Sequence, residues 1–471
     1  MEIADEKPVN SKIGVKPLYG AMIHSDSQEG PCRIGTPQEL SPEAERRRAK
    51  ESLKRFQHMM EGLSPEARLL DPAYMEYGED FTVPEKEFEK LEDDIDDVDI
   101  FLLSYRVPGI ERYGKPVAMI GKGITNVDIA AYLRHRGLEG YAPLNIHEFN
   151  DLVSSLKVRK AFSRTRVLVV YKDSMISGRQ LRHPAGVYSS IGDLDLWTKN
   201  LGVDFSLVTF EEFFEEMDRA EAERGEEAAE ITRRLIGEAQ EVFMEEKDIT
   251  NSVIPYLAAE ALLRKHRCNA FTIPCFTLCT SKVPAERRFT PCLTHTLLKD
   301  RGIPSSCEAD LNALMAMALL MYCSGRSAFM GNPFVEDIEG STLRIGHDVP
   351  GLKMKGFDGP DLPYNIRPFT KGGWGVTVRY DFPRDKGQEV TVARFNPSGT
   401  RLLATRGEIV DGGGFDSIGC SLSVLLKVPD AAEFIHRQAD FGHHSAMVYG
   451  DYTEKLRQIS EVMDFELQLV L

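Results

Sequence analysis

The chain has 471 residues, enough for two to four domains, and its 42% hydrophobic and 28% charged residues are typical of globular proteins. This composition excludes a wholly disordered chain, a collagen and a coiled-coil rod. The net charge of -16 comes from two acidic runs, residues 211–248 (15 acidic, 5 basic) and 85–99 (9 acidic, 2 basic). No basic stripe marks a nucleic-acid footprint, so we expect no nucleic-acid partner.

No segment of the sequence has the pattern of a secretion signal or a membrane span. The opening residues, MEIADEKPVNSKIGVKP, lack the charged-then-apolar order of a signal peptide. The longest apolar run, Ala313–Cys323, is too short to cross a bilayer. Eight cysteines in 471 residues do not make a disulfide framework. We therefore expect a cytoplasmic protein with reduced thiols and no membrane partner.

The first part of the chain alternates predicted strands and helices. A β-branched run, Lys12–Leu18, predicts a strand, and the charge-rich residues 38–95 are expected to be largely helical. Two apolar runs flanked by turn residues, Val98–Leu103 and Pro116–Ile120, predict further strands. Glycines bound a predicted helix at Asn126–Arg136. Strands that alternate with helices favour a parallel sheet.

A second α/β region begins near residue 166. Its first apolar run, Arg166–Tyr171, is typical of a strand buried in a parallel sheet. The pattern then predicts a strand at Asp204–Val208, a long charged helical region at 209–247 and a helix at Pro255–His266. A further strand is predicted at Ala270–Pro274, and a helix that is apolar almost all round is predicted at Ala309–Tyr322.

The composition and residue pattern of the sequence change after about residue 340, where glycine and proline become frequent. Alternating stretches at Gly375–Tyr380, Glu389–Phe395 and Cys420–Val428 predict an antiparallel barrel or sandwich. A helix, Tyr452–Met463, and a strand, Phe465–Val470, close the chain. Three domains are therefore predicted: two α/β domains, residues 1–165 and 166–340, and a β-rich domain, residues 341–471.

Carboxylates and histidines supply the candidate chemistry. Glu308 and Asp310 begin the apolar helix, where the helix dipole favours negative charge, so capping alone would explain them. A carboxylate that points from a helix start into a cleft can also hold a divalent cation. His347 ends a strand-like run, TLRIGH, and by itself a hydrogen-bonded structural histidine is the simpler interpretation.

The adjacent pair His443–His444 is harder to explain by packing. The pair follows a glycine and precedes an apolar strand, and on a strand only one of two neighbours can face inward. One carboxylate and two imidazoles, drawn from distant segments, suit Mn²⁺, Co²⁺, Fe²⁺ or Zn²⁺.

Several segments, taken together, resemble a known family. They occur in the order VDIFLL, KPVAMI, AFTIPCF, TPCLTHTLLKDRGIPSSCEAD, SGRSAFMGNPF, LRIGHDVPG and FGHHSAMVYGDY. With the opening strand KIGVKPLYG, they resemble the L-fucose isomerase/L-arabinose isomerase-like superfamily, and the chain is interpreted as a divergent member. The resemblance implies two Rossmann-like α/β domains plus a C-terminal β-rich, barrel-like domain. It also implies aldose–ketose interconversion through an ene-diol, a Mn²⁺-like cation, and a homo-oligomer, a trimer or hexamer.

The same resemblance assigns candidate ligands. Glu308 matches the first carboxylate ligand, and His347 matches a histidine that ends a strand. The His443–His444 pair matches the C-terminal histidine position, with His444 favoured. Trp374 is a candidate for sugar stacking, although a core tryptophan is an equal alternative, and Asp310 is a candidate for substrate binding.

One position departs from the family pattern. About 24 residues after the first ligand, where the family has a second carboxylate, this chain has Asn332. An amide oxygen can ligate a hard cation but cannot act as a general base. Glu336, Asp337, Asp348 or Asp310 would then have to carry the proton, and our candidates beside Glu308 are Asp337 and Asp348.

These residues predict a divalent-metal-dependent isomerase that acts on a sugar or sugar acid. The alternatives are a metal-dependent lyase or epimerase on the same scaffold, or a non-catalytic ligand-binding relative. Asn332 is the residue that separates the first hypothesis from the others.

Overall fold

The fold divides into two compact units in a computed structural model, which describes residues 7–181 and 192–471. The N-terminal unit is Ser11–Lys157. The large unit is Val158–Leu471 together with the chain up to Asn10. Within the described ranges, no helix has the length and apolar character needed to cross a membrane. The division into three domains, with boundaries at 165/166 and 340/341, remains a prediction.

The N-terminal unit is built on a parallel sheet with the strand order β2-β1-β4-β5-β6, in which β3 also pairs with β1. Its elements are β1 Ile13–Met22, α1 Pro42–Met59, β2 Ala67–Leu69, β3 Ala73–Tyr77, α2 Glu85–Phe88, β4 Ile100–Tyr105, β5 Val117–Met119, α3 Ile124–His135, β6 Gly140–Tyr141 and the first part of α4 Ile146–Ser163, whose residues from Val158 onward belong to the large unit. The predicted strands and the predicted helix at 126–136 are confirmed.

The prediction of a largely helical region at 38–95 holds at its two ends, in α1 and in α2 with the 3-10 helix Glu89–Asp97, and is wrong between them. Strands β2 and β3 lie there, and β3 pairs with the C-terminal half of β1. In β3, Ala73, Met75 and Tyr77 are buried while the residues between them are half-exposed. This two-residue period is the signal that the charge-rich surroundings obscured.

The α/β part of the large unit has a parallel sheet of order β11-β7-β13-β14. Its elements are β7 Arg166–Tyr171, β8 Ile176–Ser177, β9 Gln180–Leu181, β10 Gly192–Asp193, α5 Leu194–Leu201, β11 Asp204–Thr209, α6 Phe210–Glu223, α7 Gly225–Glu238, β12 Glu241–Val242, α8 Glu246–Lys265, β13 Ala270–Thr272, α9 Cys275–Thr280, α10 Val283–Arg287, α11 Cys292–Asp300, β14 Ser305–Ser306 and α12 Leu311–Ser324. The predicted strands at 166, 204 and 270 are confirmed.

The helical predictions in this part need two corrections. The charged region 209–247 forms two helices, α6 and α7, that meet at Arg224, and the short strand β12 follows them. Helix α8 begins at Glu246 rather than at Pro255, which lies buried inside the helix. A proline inside a helix removes one hydrogen bond, and the burial of this apolar helix offsets that cost.

Six antiparallel strands close into a barrel in the order β19-β22-β15-β16-β21-β20, because β20 also pairs with β19. A last strand, β23, lies parallel to β20, and a separate sheet has the order β12-β17-β18. The elements are β15 Phe329–Asp337, β16 Thr342–Gly346, β17 Tyr364–Pro368, β18 Val376–Tyr380, β19 Glu389–Phe395, β20 Arg401–Gly413, β21 Ser423–Lys427, α13 Ala431–Gln438, β22 Ser445–Tyr449, α14 Thr453–Met463 and β23 Glu466–Val470. Of the two predicted β architectures, the barrel is the correct one.

Helix α12 positions the candidate site. Every residue from Leu311 to Tyr322 is buried, as the all-apolar pattern predicted. The helix packs against barrel residues such as Ala393, Ala446 and Val448 in one continuous core. The N-terminus of α12 therefore lies beside the barrel, where the candidate residues that precede the helix can contact those at the ends of the barrel strands.

Candidate metal centre

A strained turn carries Glu308 from the end of β14 to the start of α12. Glu308 and Ala309 have φ angles of +61° and +52°, which non-glycine residues adopt infrequently. The turn is held by the Ala309 backbone N–H, which donates to the Ile273 carbonyl at 3.1 Å. The Cys307 backbone N–H also contacts Met330 Sδ at 3.3 Å. Strain of this kind is concentrated at functional sites, so the turn marks Glu308 as a functional candidate.

The Glu308 carboxylate lies between two imidazoles. Oε1 is 3.6 Å from Nε2 of His347, and Oε2 is 3.7 Å from Nε2 of His444. Burial opposes ionisation of this carboxyl, but the close approach of the His347 ring and the charges of the neighbouring histidines outweigh it and lower the pKa of Glu308 to about 2. Glu308 is therefore a carboxylate throughout the physiological pH range.

His444 is oriented by a buried carboxylate behind it. Its Nδ1 lies 2.8 Å from Oδ2 of Asp310, and both side chains are fully buried. The Nε2 atom of His444 is buried without a hydrogen-bond partner among the residues that the structure describes. An ionised Asp310 accepts a hydrogen bond and so places the ring proton on Nδ1. The lone pair of Nε2 then faces Glu308, as a metal ligand requires.

Asp310 is tied to a buried arginine as well. Nη1 and Nη2 of Arg394 lie 2.8 and 3.2 Å from the two carboxylate oxygens, and Nη1 also donates to the His444 carbonyl at 2.6 Å. Burial raises the pKa of Asp310, but the charge of Arg394 and the hydrogen bond from His444 lower it to about 2 overall. Asp310 also caps α12 by accepting from the Ala313 N–H. Its predicted contact with substrate remains a prediction.

His347 has the opposite arrangement of proton and lone pair on its ring from that of His444. Its Nδ1 accepts the backbone N–H of Asp348 at 3.1 Å, so in the neutral ring the proton lies on Nε2, the atom that faces Glu308. The Asp348 side chain points away into a buried ion pair with Arg379 at 2.9 Å and accepts the Leu422 N–H at 3.1 Å. Burial raises the pKa of Asp348 in spite of Arg379.

The residues that could hold a cation are Glu308, His443 and His444. Each offers one ligand atom, and these atoms lie within 4.8 Å of one another. The two histidine rings lie against each other, with centroids 4.0 Å apart. Although His443 is the exposed member, loss of solvent around its ring, with a contribution from His444, lowers its pKa to about 4. A neutral imidazole at pH 7 is the form that binds metal.

Asn332 lies in strand β15, directly opposite Gly346 of β16 and hence next to His347. The strands approach closely here: a Cβ at Gly331 would lie 2.9 Å from the Gly346 backbone. The Oδ1 atom of Asn332 is buried and has no hydrogen-bond partner within residues 7–181 and 192–471. An unpaired buried amide oxygen is available for a cation or a substrate hydroxyl.

Two other candidates lie apart from this cluster. Asp337 is exposed at the far end of β15, five residues beyond Asn332, which corresponds to about 16 Å along a strand. Trp374 is half-buried in the connection between β17 and β18, where its carbonyl accepts the Thr370 N–H. The described contacts do not join either residue to Glu308, and their catalytic and substrate-binding roles remain predictions.

Sequence reasoning missed the two buried arginines, Arg379 and Arg394. Both lie within strands that are buried along almost their whole length, VTVRY and EVTVARF, where only Glu389 is exposed. A fully buried arginine is rare unless a carboxylate pairs with it. An arginine inside a predicted buried strand was therefore a usable signal that Asp310 and Asp348 have structural partners.

Comparison with known proteins supports the isomerase prediction. No protein-family model matches the chain. The chain is similar to the sulfoquinovose isomerases of Priestia aryabhattai and Priestia megaterium, with 23% identity over 326 residues, which is 67% of this chain and 67% of each relative. These relatives support an isomerase at low identity, and the narrower superfamily assignment remains a prediction.

Proposed function

We propose that this protein is a divalent-cation-dependent sugar isomerase that interconverts an aldose and a ketose through an ene-diolate. The observation that carries the proposal is the Glu308 carboxylate between the Nε2 atoms of His347 and His444, at 3.6 and 3.7 Å. The similarity to two sulfoquinovose isomerases supports the same class of reaction.

The side chains fit a cation of the Mn²⁺, Co²⁺, Fe²⁺ or Zn²⁺ type. Glu308, His444 and His443 offer one carboxylate and two imidazole nitrogens, and Mn²⁺ is the cation we favour. The buried Nε2 of His444, unpaired among the described residues, and Asp310 behind its ring form the carboxylate–histidine arrangement that usually supports a metal ligand. A cation bound here would polarise two substrate oxygens and lower the barrier to the ene-diolate.

Glu308 is suited to hold a cation rather than to store a proton. Its pKa of about 2 is far from neutral pH, and a general base works best with a pKa near the working pH. Asp348 has its carboxylate engaged by Arg379 and the Leu422 N–H, and Asp337 is remote along β15. Neither candidate is therefore our first choice for proton transfer.

We assign proton transfer to His347. Its Nδ1 accepts a backbone N–H, which keeps the ring proton on Nε2 at the edge of the Glu308 carboxylate. That N–H can donate a hydrogen bond to the substrate carbonyl oxygen and protonate the oxygen as the ene-diolate forms, while a separate base removes the carbon-bound proton and returns it to the neighbouring carbon. Asn332, with its unpaired amide oxygen, would bind the cation or a substrate hydroxyl.

Asn332 also favours a second candidate function. An amide cannot replace the second carboxylate as a base, so the same site could stabilise an ene-diolate for epimerisation or for carbon–carbon cleavage. Sulfoquinovose, the sugar in the name of the relatives, is the first substrate to test.

The test combines metal analysis with product identification. Purified protein is assayed for bound metals, stripped with a chelator, and reloaded with Mn²⁺, Co²⁺ or Zn²⁺ separately. Each form is incubated with sulfoquinovose and a panel of aldoses and ketoses, and the products are followed by NMR. A ketose product that appears only with metal supports the proposal. A new aldose epimer or two shorter fragments would support the second candidate, and metal-independent turnover or none would overturn both.

A further inference from the structure

Two cysteine side chains meet beside the candidate metal centre. Sγ of Cys275 and Sγ of Cys307 lie 2.7 Å apart. Cys275 follows strand β13 and Cys307 follows its parallel neighbour β14, so both lie at the carboxyl edge of the same sheet. All eight cysteines of the chain lie in described ranges and are free thiols. This thiol pair takes no part in the isomerase chemistry proposed above.

The two thiols differ in accessibility. Cys307 has 1% of its surface exposed, whereas Cys275 is half-buried at the start of helix α9. A reagent from solvent can therefore reach Cys275 first, and Cys307 lies behind it. Cysteines that react with oxidants are often solvent-accessible and adjacent to a second cysteine that resolves the mixed disulfide, and Cys275 and Cys307 share this arrangement of an accessible and a neighbouring thiol.

We propose that Cys275 and Cys307 form a site of thiol–disulfide exchange that reacts with small disulfides to close an internal Cys275–Cys307 disulfide. In the first step the Cys275 thiolate attacks one sulfur of the small disulfide, whose S–S bond breaks, and one small thiol leaves. In the second step the Cys307 sulfur attacks the Cys275 sulfur and gives up its proton, the bond between Cys275 and the small thiol breaks, and the second small thiol leaves with that proton. Two protein thiols are oxidised, and the small disulfide is reduced to two thiols.

The geometry requires little movement for the second step. A disulfide has an S–S length of about 2.05 Å, so the two sulfur atoms need to approach by less than about 1 Å. The backbone next to them is restrained, because Cys275 N–H donates to the Ile273 carbonyl at 2.9 Å and Ala309 N–H donates to the same carbonyl at 3.1 Å. The shared carbonyl ties the two segments together and keeps the thiols adjacent.

Closing the bond would alter the metal centre, and this consequence rests on the proposed function. Cys307 directly precedes Glu308, whose φ of +61° depends on the contacts of the turn. Even a shift of less than about 1 Å at Cys307 would be passed to the next residue and would change the distances from the Glu308 carboxylate to His347 and His444, which are 3.6 and 3.7 Å. We expect the oxidised protein to lose at least about tenfold in isomerase turnover and to regain it with excess dithiothreitol.

The first experiment is chemical and needs no activity. The purified full chain is incubated with oxidised glutathione, its remaining thiols are alkylated, and its peptides are mapped by mass spectrometry. We expect loss of two thiols and a peptide that links Cys275 to Cys307. Cys307→Ser should retain glutathione on Cys275, because the resolving thiol is absent. Cys32→Ser, an exposed cysteine of the N-terminal unit, is the matched control and should behave like the wild type.

Two results would overturn the proposal. One is a linked peptide that joins other cysteines, and the other is a wild-type chain that keeps glutathione on Cys275 without releasing it. Both results are read from peptide mapping of the wild-type chain, so the proposal is tested even if a serine variant folds poorly. If the link forms but the reduced chain turns over no sugar, the exchange site stands and the isomerase proposal fails.

Discussion

In the buried centre of the large unit, Nδ1 of His444 lies 2.8 Å from Oδ2 of Asp310. The same oxygen accepts a hydrogen bond from Nη1 of Arg394 at 2.8 Å. Since an ionised carboxylate only accepts hydrogen bonds, it holds the ring proton of His444 on Nδ1 and leaves Nε2 as a lone pair. Asp310 therefore links a buried ion pair with Arg394 to an imidazole whose Nε2 is free to bind a metal.

Asp310→Asn should destabilise the protein strongly. The substitution removes the counter-charge of Arg394, which has no solvent exposure, and an uncompensated buried charge costs about 3–5 kcal/mol. Urea unfolding would measure the loss. Glu336→Gln breaks a surface pair with Arg344 and should change the unfolding midpoint little. A similar small change for Asp310→Asn would contradict the buried-pair interpretation. In a double-mutant cycle with Arg394→Met, the second change should recover part of the loss.

The difference in stability between wild type and Asp310→Asn should shrink in acid. The pKa of Asp310 is lowered from 3.8 to about 2 in the fold, so the stabilisation by its charge is present above pH 4 and is lost as the pH falls towards 2. Between pH 6 and pH 3 the difference should decrease by about 1 kcal/mol. Urea unfolding at the two pH values tests this, and a difference that grows in acid would reverse the sign and refute the assignment.

Glu308→Gln should abolish tight cation binding while the fold is kept. The amide retains the size of the side chain but loses the charge between His347 and His444. We therefore expect Mn²⁺ affinity to fall by about 100-fold or more, which exceeds the loss of about 10–100-fold that is typical when a residue hydrogen-bonded to a metal ligand is mutated. Isothermal titration calorimetry measures the affinity, and circular dichroism checks the fold. Glu336→Gln is the matched carboxylate-to-amide control. Unchanged affinity in Glu308→Gln would place the cation elsewhere.

His347→Asn and His444→Asn should have different consequences. In His347→Asn the amide oxygen can still accept the Asp348 N–H, but the Nε2 proton is gone, so turnover should fall by about 100-fold or more while Mn²⁺ affinity changes by less than about threefold. In His444→Asn a ligand is lost, and affinity should fall by about 100-fold. Equal losses of cation affinity in the two variants would make His347 a ligand and remove its proposed proton-transfer role.

Asn332→Asp should strengthen cation binding. A carboxylate in place of the unpaired amide oxygen adds one negative charge at the strand position opposite Gly346, and we expect Mn²⁺ to bind about tenfold more tightly. Turnover should change as well, since the variant gains a proton acceptor and loses an amide donor. If neither affinity nor turnover changes on any active substrate, Asn332 has only a structural role in β15.

Local sequence patterns predicted much of the fold. Arg166–Tyr171 and Glu389–Phe395 have the predicted bounds because long apolar or β-branched runs are compatible with few alternatives. The strand Ala73–Tyr77 was missed because three buried residues in a polar region give a weak signal. The break between α6 and α7 at Arg224 was missed because the charge pattern continues across it.

The candidate site was predictable in part. Glu308, His347 and His444 were identified from the family resemblance, and the structure brings their side chains together. The roles behind them were not predictable. Asp310 and Arg394 are 84 residues apart in sequence, and their pairing arises only when α12 packs against the barrel. The orientation of each imidazole depends on a single hydrogen bond to Nδ1, which no spacing rule encodes.

The pair of left-handed residues at Glu308 and Ala309 sets how the site can evolve. At Glu308 the strain has to be tolerated, because the only residue that would remove it, glycine, has no carboxylate. At Ala309, which is fully buried, glycine would relieve strain of about 1 kcal/mol, whereas valine or isoleucine would suffer severe clashes at positive φ. A saturation library at Ala309 should therefore accept glycine and alanine and reject β-branched residues. The small side chain at position 309 is thus a requirement for the turn that places the Glu308 carboxylate in the site.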